Sequence, residues 1–157
     1  MTRSEMNCIF CDIVAGTSQC HKVWEDDEHL AFLSIYPNTK GFTVVIPKKH
    51  YSSYIFAQED SVVANLTLAS KKVALLLDKA LDGVARTGIV YEGYEVDHLH
   101  SKLIPMHGTG DDSTFKPIDG AAGPFILKYQ GFLSTHDCDR ADDAELAQLA
   151  AHIRSYA

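Results

Sequence analysis

Asp97-His98-Leu99-His100-Ser101-Lys102-Leu103-Ile104-Pro105 is the stretch on which the fold turns. Its apolar residues alternate with polar ones, and period-two alternation predicts a strand. On a strand, His98, His100 and Lys102 share one face. Two imidazoles and an ammonium make a poor core and a good receptor for a phosphate group. An isolated His-x-His is equally compatible with a wet strand that happens to carry histidines.

The neighbouring segments give this strand its company. Thr87 to Tyr91 reads as a strand, Glu92-Gly93-Tyr94-Glu95 as a turn, and Val96 to Ile104 as the histidine strand. Upstream, Val62, Leu66, Ala69, Val73, Leu76 and Leu77 fall at helical spacing. Asp60 or Ser61 can cap that helix, and Asp82-Gly83 ends it. Phe42 to Ile46 is β-branched and aromatic and stops at Pro47, a strand. Lys22 to Glu25 and Leu30 to Ile35 form a hairpin about Asp26-Asp27-Glu28. Cys8 to Ala15 reads as a short helix or turn after a loose tail. Residues 107–124, rich in Gly, Asp, Ser, Thr and Pro, predict a long loop. Arg140 to Glu145 opens a last helix with Leu146, Leu149, Ala150 and Ile153 on one face. Clustered strands broken by one long helix predict an α+β fold with a mostly antiparallel sheet.

The chain has 157 residues, which predicts one domain. A net charge of −7 argues against nucleic acid as a partner, because phosphate backbones require a basic surface. It leaves room for a small nucleotide in a local pocket. No apolar run approaches the roughly 20 residues a bilayer span needs, and the N-terminus has no hydrophobic signal region. The expectation is a cytoplasmic protein without a membrane partner. There, the Cys8-Ile9-Phe10-Cys11 pair among four cysteines points to a metal or redox element rather than a disulfide. Cys20 and Cys138 have no patterned neighbours.

Zinc takes four Cys and His ligands in a tetrahedral array, and Cys8 and Cys11 can supply two from one turn. His50, just beyond Pro47, and His98 are the best candidates for the others. Nothing in the spacing prefers His50 to His21, His29 or His107. Four protein ligands would leave no open position, so such a zinc would be structural. The alternative is two thiols packed as small hydrophobes.

Taken together, these segments resemble the histidine triad (HIT) family. Cys8-Ile9-Phe10-Cys11-Asp12-Ile13-Val14-Ala15-Gly16 is similar to its opening, and Val23 to Leu33 to its first hairpin. Gly41 to His50 is similar to its central strand, and His98 to Pro105 sits where the family has His-x-His-x-His followed by apolar residues. The match spans about residues 8–106, with 107–157 a loop and C-terminal helix extension of a single HIT-like domain, 1–157. The resemblance implies a HIT-like α+β fold, usually homodimeric, and a hydrolase or transferase acting on a nucleotide substrate. It implies that His100, the middle histidine, is the nucleophile. It also implies that Zn2+ is held by Cys8, Cys11, His50 and His98. Phe10, Ile13, Phe32 and Ile35 align with the apolar wall that takes the base.

From below, a neutral imidazole can attack an α-phosphate and form a nucleotidyl-histidine that water then hydrolyses. Its other ring nitrogen must be held by a hydrogen bond. Three departures bear on this chemistry. Lys102 stands in the third triad position, where it can clamp phosphate as a point charge or face solvent at a strand edge. Ser34 stands where an aspartate grips the ribose, and makes a weaker uncharged contact. Gly93 to Asp97 is a shortened turn without the usual polar Gln-x-Ser, and its Glu95 would repel phosphate. His107 could lie near the pocket mouth, and His136 beside Asp137 could have raised basicity. Two other classes remain: a nucleotide-binding protein with little or no turnover, and a metal-binding structural domain.

Overall fold

The computed structural model describes residues 7–110 and 139–157. His136 and Cys138, like most of the expected 107–124 loop, lie outside the described residues. Helix α1 (Ile9–Ala15) leads into strands β1 (Lys22–Glu25), β2 (His29–Leu33) and β3 (Thr43–Pro47). A single 3-10 turn (Ile55–Ala57) precedes helix α2 (Asp60–Ala80), which is followed by β4 (Val84–Val90), β5 (Ser101–His107) and helix α3 (Asp143–Arg154). The strands form one five-stranded sheet in the order β1-β2-β3-β5-β4, and every pair is antiparallel. The α+β expectation holds.

β2 and β3 are buried at every residue, because both faces of the sheet are covered there. On one face Ala31, Leu33, Val45, Leu99 and Leu103 meet Leu66, Ala69, Val73 and Leu77 of α2 and Leu146, Ala150 and Ile153 of α3. On the other, Leu30, Phe32, Val44 and Ile46 meet Cys8 and Phe10 at the start of α1. β2 and β3 therefore send alternate side chains into two different cores.

Several boundaries differ from the sequence reading: β2 ends at Leu33, β4 starts at Val84 and α3 starts at Asp143, and two further differences have a visible cause. Asp60 and Ser61 both lie inside α2; its N-cap is Glu59, with no side-chain cap bond. The histidine strand does not begin at Val96. The backbone N–H of His98 bonds to the Val96 carbonyl (2.8 Å), and that of Leu99 to the Tyr51 carbonyl (2.9 Å). Those groups are taken by a tight local turn and a loop, so ladder pairing starts only at Ser101, opposite Val45 of β3.

Candidate functional site

The loop into β5 keeps strand-like alternation although it is not in the ladder. The Ser101 hydroxyl lies 2.7 Å from that of Ser70, which also donates to the Leu66 carbonyl inside α2. Leu99 and Leu103 enter the same core as Ser70's neighbours. His98, His100 and Lys102 therefore project to the opposite face, toward α1. Phe10 meets both imidazoles edge-on, at 5.8 Å from His98 and 5.5 Å from His100.

Cys8, Cys11, His50 and His98 converge, with their donor atoms all within 4.8 Å of one another. Cys8 is the N-cap of α1, and its sulfur accepts from the Cys11 N–H, so a single helical turn fixes both thiols. Nδ1 of His98 lies 3.4 Å from Cys8 Sγ and 3.6 Å from Cys11 Sγ; Nδ1 of His50 lies 3.4 Å from Cys11 Sγ. A tetrahedral ion with sulfur at about 2.3 Å and nitrogen at about 2.05 Å separates the two donors by about 3.6 Å. The observed spacings match that edge. Nε2 of His98 donates to the Pro47 carbonyl (2.8 Å), which leaves Nδ1 with its lone pair toward the sulfurs. Burial pushes the His98 imidazole down to about 4, so it is neutral, as a ligand must be. His21, His29 and His107, equal candidates by spacing, stand elsewhere: His21 pairs with Asp143 (2.9 Å) and His29 with Asp26 (3.4 Å).

Beside this cluster lies a cavity of about 470 Å³. Phe10, Ile13, Phe32, Val44 and Ile35 supply apolar walls, and His100, Lys102 and Glu95 a polar end. His100 Nδ1 donates to the His98 carbonyl (2.7 Å), leaving Nε2 with the lone pair. Burial also lowers the His100 pKa, against the opposing effect of that hydrogen bond. The side chain is thus a neutral, oriented imidazole at the edge of a cavity large enough for a small ligand.

Lys102 is not at a solvent-facing strand edge. It is 4% exposed, and its ammonium is ion-paired with the buried Glu92 carboxylate and lies 3.7 Å from Glu95. Ser34 lines the cavity, but its Oγ already accepts from the Tyr36 N–H (3.1 Å). His107 does not reach the cavity. It ends β5, and Nε2 donates to the Lys40 carbonyl (2.8 Å), because seven strand residues carry it away from His100. Two residues escaped the sequence reading. Glu92 looked like an ordinary turn residue, and only its place opposite a buried lysine marks it. Cys20, unpatterned in sequence, lines the cavity as a half-buried thiol whose pKa burial raises.

The loop carrying Glu92 and Glu95 is anchored. The Ser53 N–H donates to Asp97 Oδ1 (2.9 Å), and the Ser53 hydroxyl to the Gly93 carbonyl (2.7 Å). Gly93 has φ 73°, and a Cβ there would meet the Ser53 carbonyl oxygen at 3.0 Å. Only glycine makes that approach without strain.

Comparison with known proteins agrees with this geometry. The family model described as HIT domain matches residues 15–109, more than half of the chain. An uncharacterized HIT-like protein of Methanocaldococcus jannaschii is 38% identical over 125 residues, spanning 77% of this chain and 96% of that protein. The adenosine 5'-monophosphoramidase hnt1 of Schizosaccharomyces pombe is 35% identical over 100 residues, spanning 64% of this chain and 74% of that protein. Among solved structures, a Zn-bound histidine triad family protein from Mycobacterium smegmatis superposes with a TM-score of 0.68 at 23% identity, covering 97% of this chain and 94% of that one, a likeness of fold alone. Fold, family model and relatives agree, and the chain belongs to the histidine triad (HIT) family.

Proposed function

We propose that this protein is a nucleotide hydrolase or nucleotidyltransferase that cleaves the linkage to a nucleoside α-phosphate through a covalent intermediate on His100. The observation that carries the reading is the His100 imidazole: neutral, held at Nδ1 by the His98 carbonyl, and set with Nε2 available beside a cavity with an apolar wall. Phe10, Ile13, Phe32 and Ile35 receive the base, and Ser34 the ribose. Nε2 attacks the α-phosphorus and forms a P–N bond. The bond to the leaving group breaks, and the leaving group keeps the electron pair and takes a proton from solvent. Water then attacks the phosphorus, the P–N bond to His100 breaks, and the nucleoside monophosphate departs with the imidazole restored. Lys102 offers its ammonium to the phosphate oxygens as charge develops. The relative named as an adenosine 5'-monophosphoramidase supports an amine-bearing phosphate as one substrate type.

Cys8, Cys11, His50 and His98 would hold a zinc ion as a closed structural site. The ion's contribution there is to fix His98, and through its carbonyl His100. Leu68 and Leu75 on α2 and Ile89 on edge strand β4 are exposed, which supports a homodimer along that edge. Among the described residues, Cys8, Cys11 and Cys20 form no disulfide, which fits a reducing, cytoplasmic setting, and no helix is long and apolar enough to cross a membrane.

One observation favours a second reading, nucleotide binding with little turnover: two carboxylates already engage Lys102. The deciding experiment is intact-mass spectrometry of the wild type and His100→Ala after brief exposure to an adenosine phosphoramidate, quenched away from acid. A nucleotidyl adduct on the wild type alone supports the covalent mechanism. Saturable binding without adduct or product supports the second reading.

A further inference from the structure

The polar end of the cavity has an unusual charge pattern for a phosphate site. One ammonium, Lys102, is shared by two carboxylates, Glu92 and Glu95, so these three groups sum to one negative charge. Glu92 lies behind Lys102, with its side chain 5% exposed, whereas Glu95 is 55% exposed and stands at the open side of the cavity. Glu95 is also the only non-glycine residue with positive φ among the described residues, at 75°. A side chain in that region costs on the order of 1–2 kcal/mol relative to glycine, and such outliers cluster where a site requires them. Glycine would satisfy the turn without strain. The chain instead keeps a carboxylate at the cavity, paired with Lys102, on a loop that Ser53 anchors at Gly93 and Asp97.

A polyphosphate leaving group would bring several negative charges to this end. A leaving group carrying an ammonium would meet a carboxylate that Lys102 only half neutralises. We infer that Glu95, backed by Glu92, forms a leaving-group subsite that selects departing groups bearing a positive charge and turns away polyphosphates. This inference rests on the proposed attack of His100 at an α-phosphate. The apolar wall takes the base and His100 faces the phosphorus. That leaves the open side, where Glu95 stands, for the group that departs opposite the attacking nitrogen.

The test compares two adenosine phosphoramidates with the same P–N bond, one made with a short diamine and one with the matching monoamine, and a dinucleoside polyphosphate. The wild type should favour the diamine compound in kcat/KM by about fivefold at low salt, as expected for a partly exposed charge pair. That preference should fall toward unity near 0.5 M salt. Glu95→Gln should abolish the preference and raise kcat/KM for the polyphosphate, opposite changes that general damage to the fold does not produce. Glu95→Gly, which also relieves the backbone strain, should lose the preference while its Tm holds or rises. Equal rates for the two amines in the wild type, or a preference that survives in Glu95→Gln, overturns the subsite and leaves the hydrolase reading intact. Failure of all three compounds to turn over removes the hydrolase reading and the subsite with it.

Discussion

The carbonyl oxygen of His98 accepts the Nδ1–H of His100 at 2.7 Å, so a residue of the Cys/His cluster also orients the candidate nucleophile. The His98 ring faces the two thiols while its backbone faces His100. Anything that loosens the cluster should loosen the imidazole beside it.

Loss of the cluster is the first consequence. Cys8→Ser should reduce zinc from about one equivalent per chain to none and lower the Tm by roughly 10 °C, corresponding to about 3 kcal/mol. Its turnover should fall as well, although no cluster residue lines the cavity. Elemental analysis and thermal denaturation check this, and wild type purified without chelator that contains no metal would refute it.

His100→Ala should remain folded and keep its metal while losing at least about a thousandfold in kcat, the scale expected when a nucleophile is removed. Circular dichroism, metal content and steady-state rates read the three properties separately. Wild-type turnover by this variant would exclude His100 as the nucleophile.

The pH profile follows from burial. A histidine in water protonates near 6.5, and protonation would remove the Nε2 lone pair. Burial lowers the pKa of His100, so the neutral form persists to lower pH than for a free imidazole. The acid limb of kcat/KM should therefore lie below pH 6.5, with activity level from about pH 8 down to that point. An acid limb at or above 6.5 contradicts the burial argument.

Lys102 and Glu92 should behave as a pair. Lys102→Met removes the ammonium from a carboxylate whose side chain is 5% exposed, and removing one partner of a buried pair costs about 3–5 kcal/mol. The single variant should lose stability and show a raised KM. Adding Glu92→Gln should recover most of the stability and little of the KM, because the second change removes the buried charge without returning the phosphate contact. Full recovery of KM in the double variant would place Lys102 outside substrate binding.

The aromatic edge of the cavity gives a separate check. Phe10 touches Phe32, His98 and His100. Phe10→Leu should cost less than about 1.5 kcal/mol in stability, yet raise KM for the nucleotide several-fold by reshaping the wall and freeing the His100 ring. Unchanged KM would make Phe10 a core residue only.

The sequence by itself determined the order and kind of the elements. Local periodicity and turn chemistry act over a few residues, so the β-branched run at Thr43–Ile46, the helical spacing from Val62 to Leu77 and the alternation from His98 to Leu103 could be read directly. The Cys8–Cys11 pair was visible for the same reason, since one helical turn sets both thiols. Tertiary structure alone decided which residues meet across the chain. Spacing could not prefer His50 to His21, because the choice depends on where Pro47 delivers the chain relative to α1, 39 residues earlier for the contacting Cys11. It could not show that Lys102 is buried, because burial depends on Glu92 being folded back over it by a loop anchored at Ser53. Nor could it place the start of β5, because the N–H of Leu99 prefers a carbonyl at Tyr51 that sequence proximity does not reveal. Local propensities act through neighbours in the chain, whereas ion pairs, metal sites and ladder ends are set by neighbours in space.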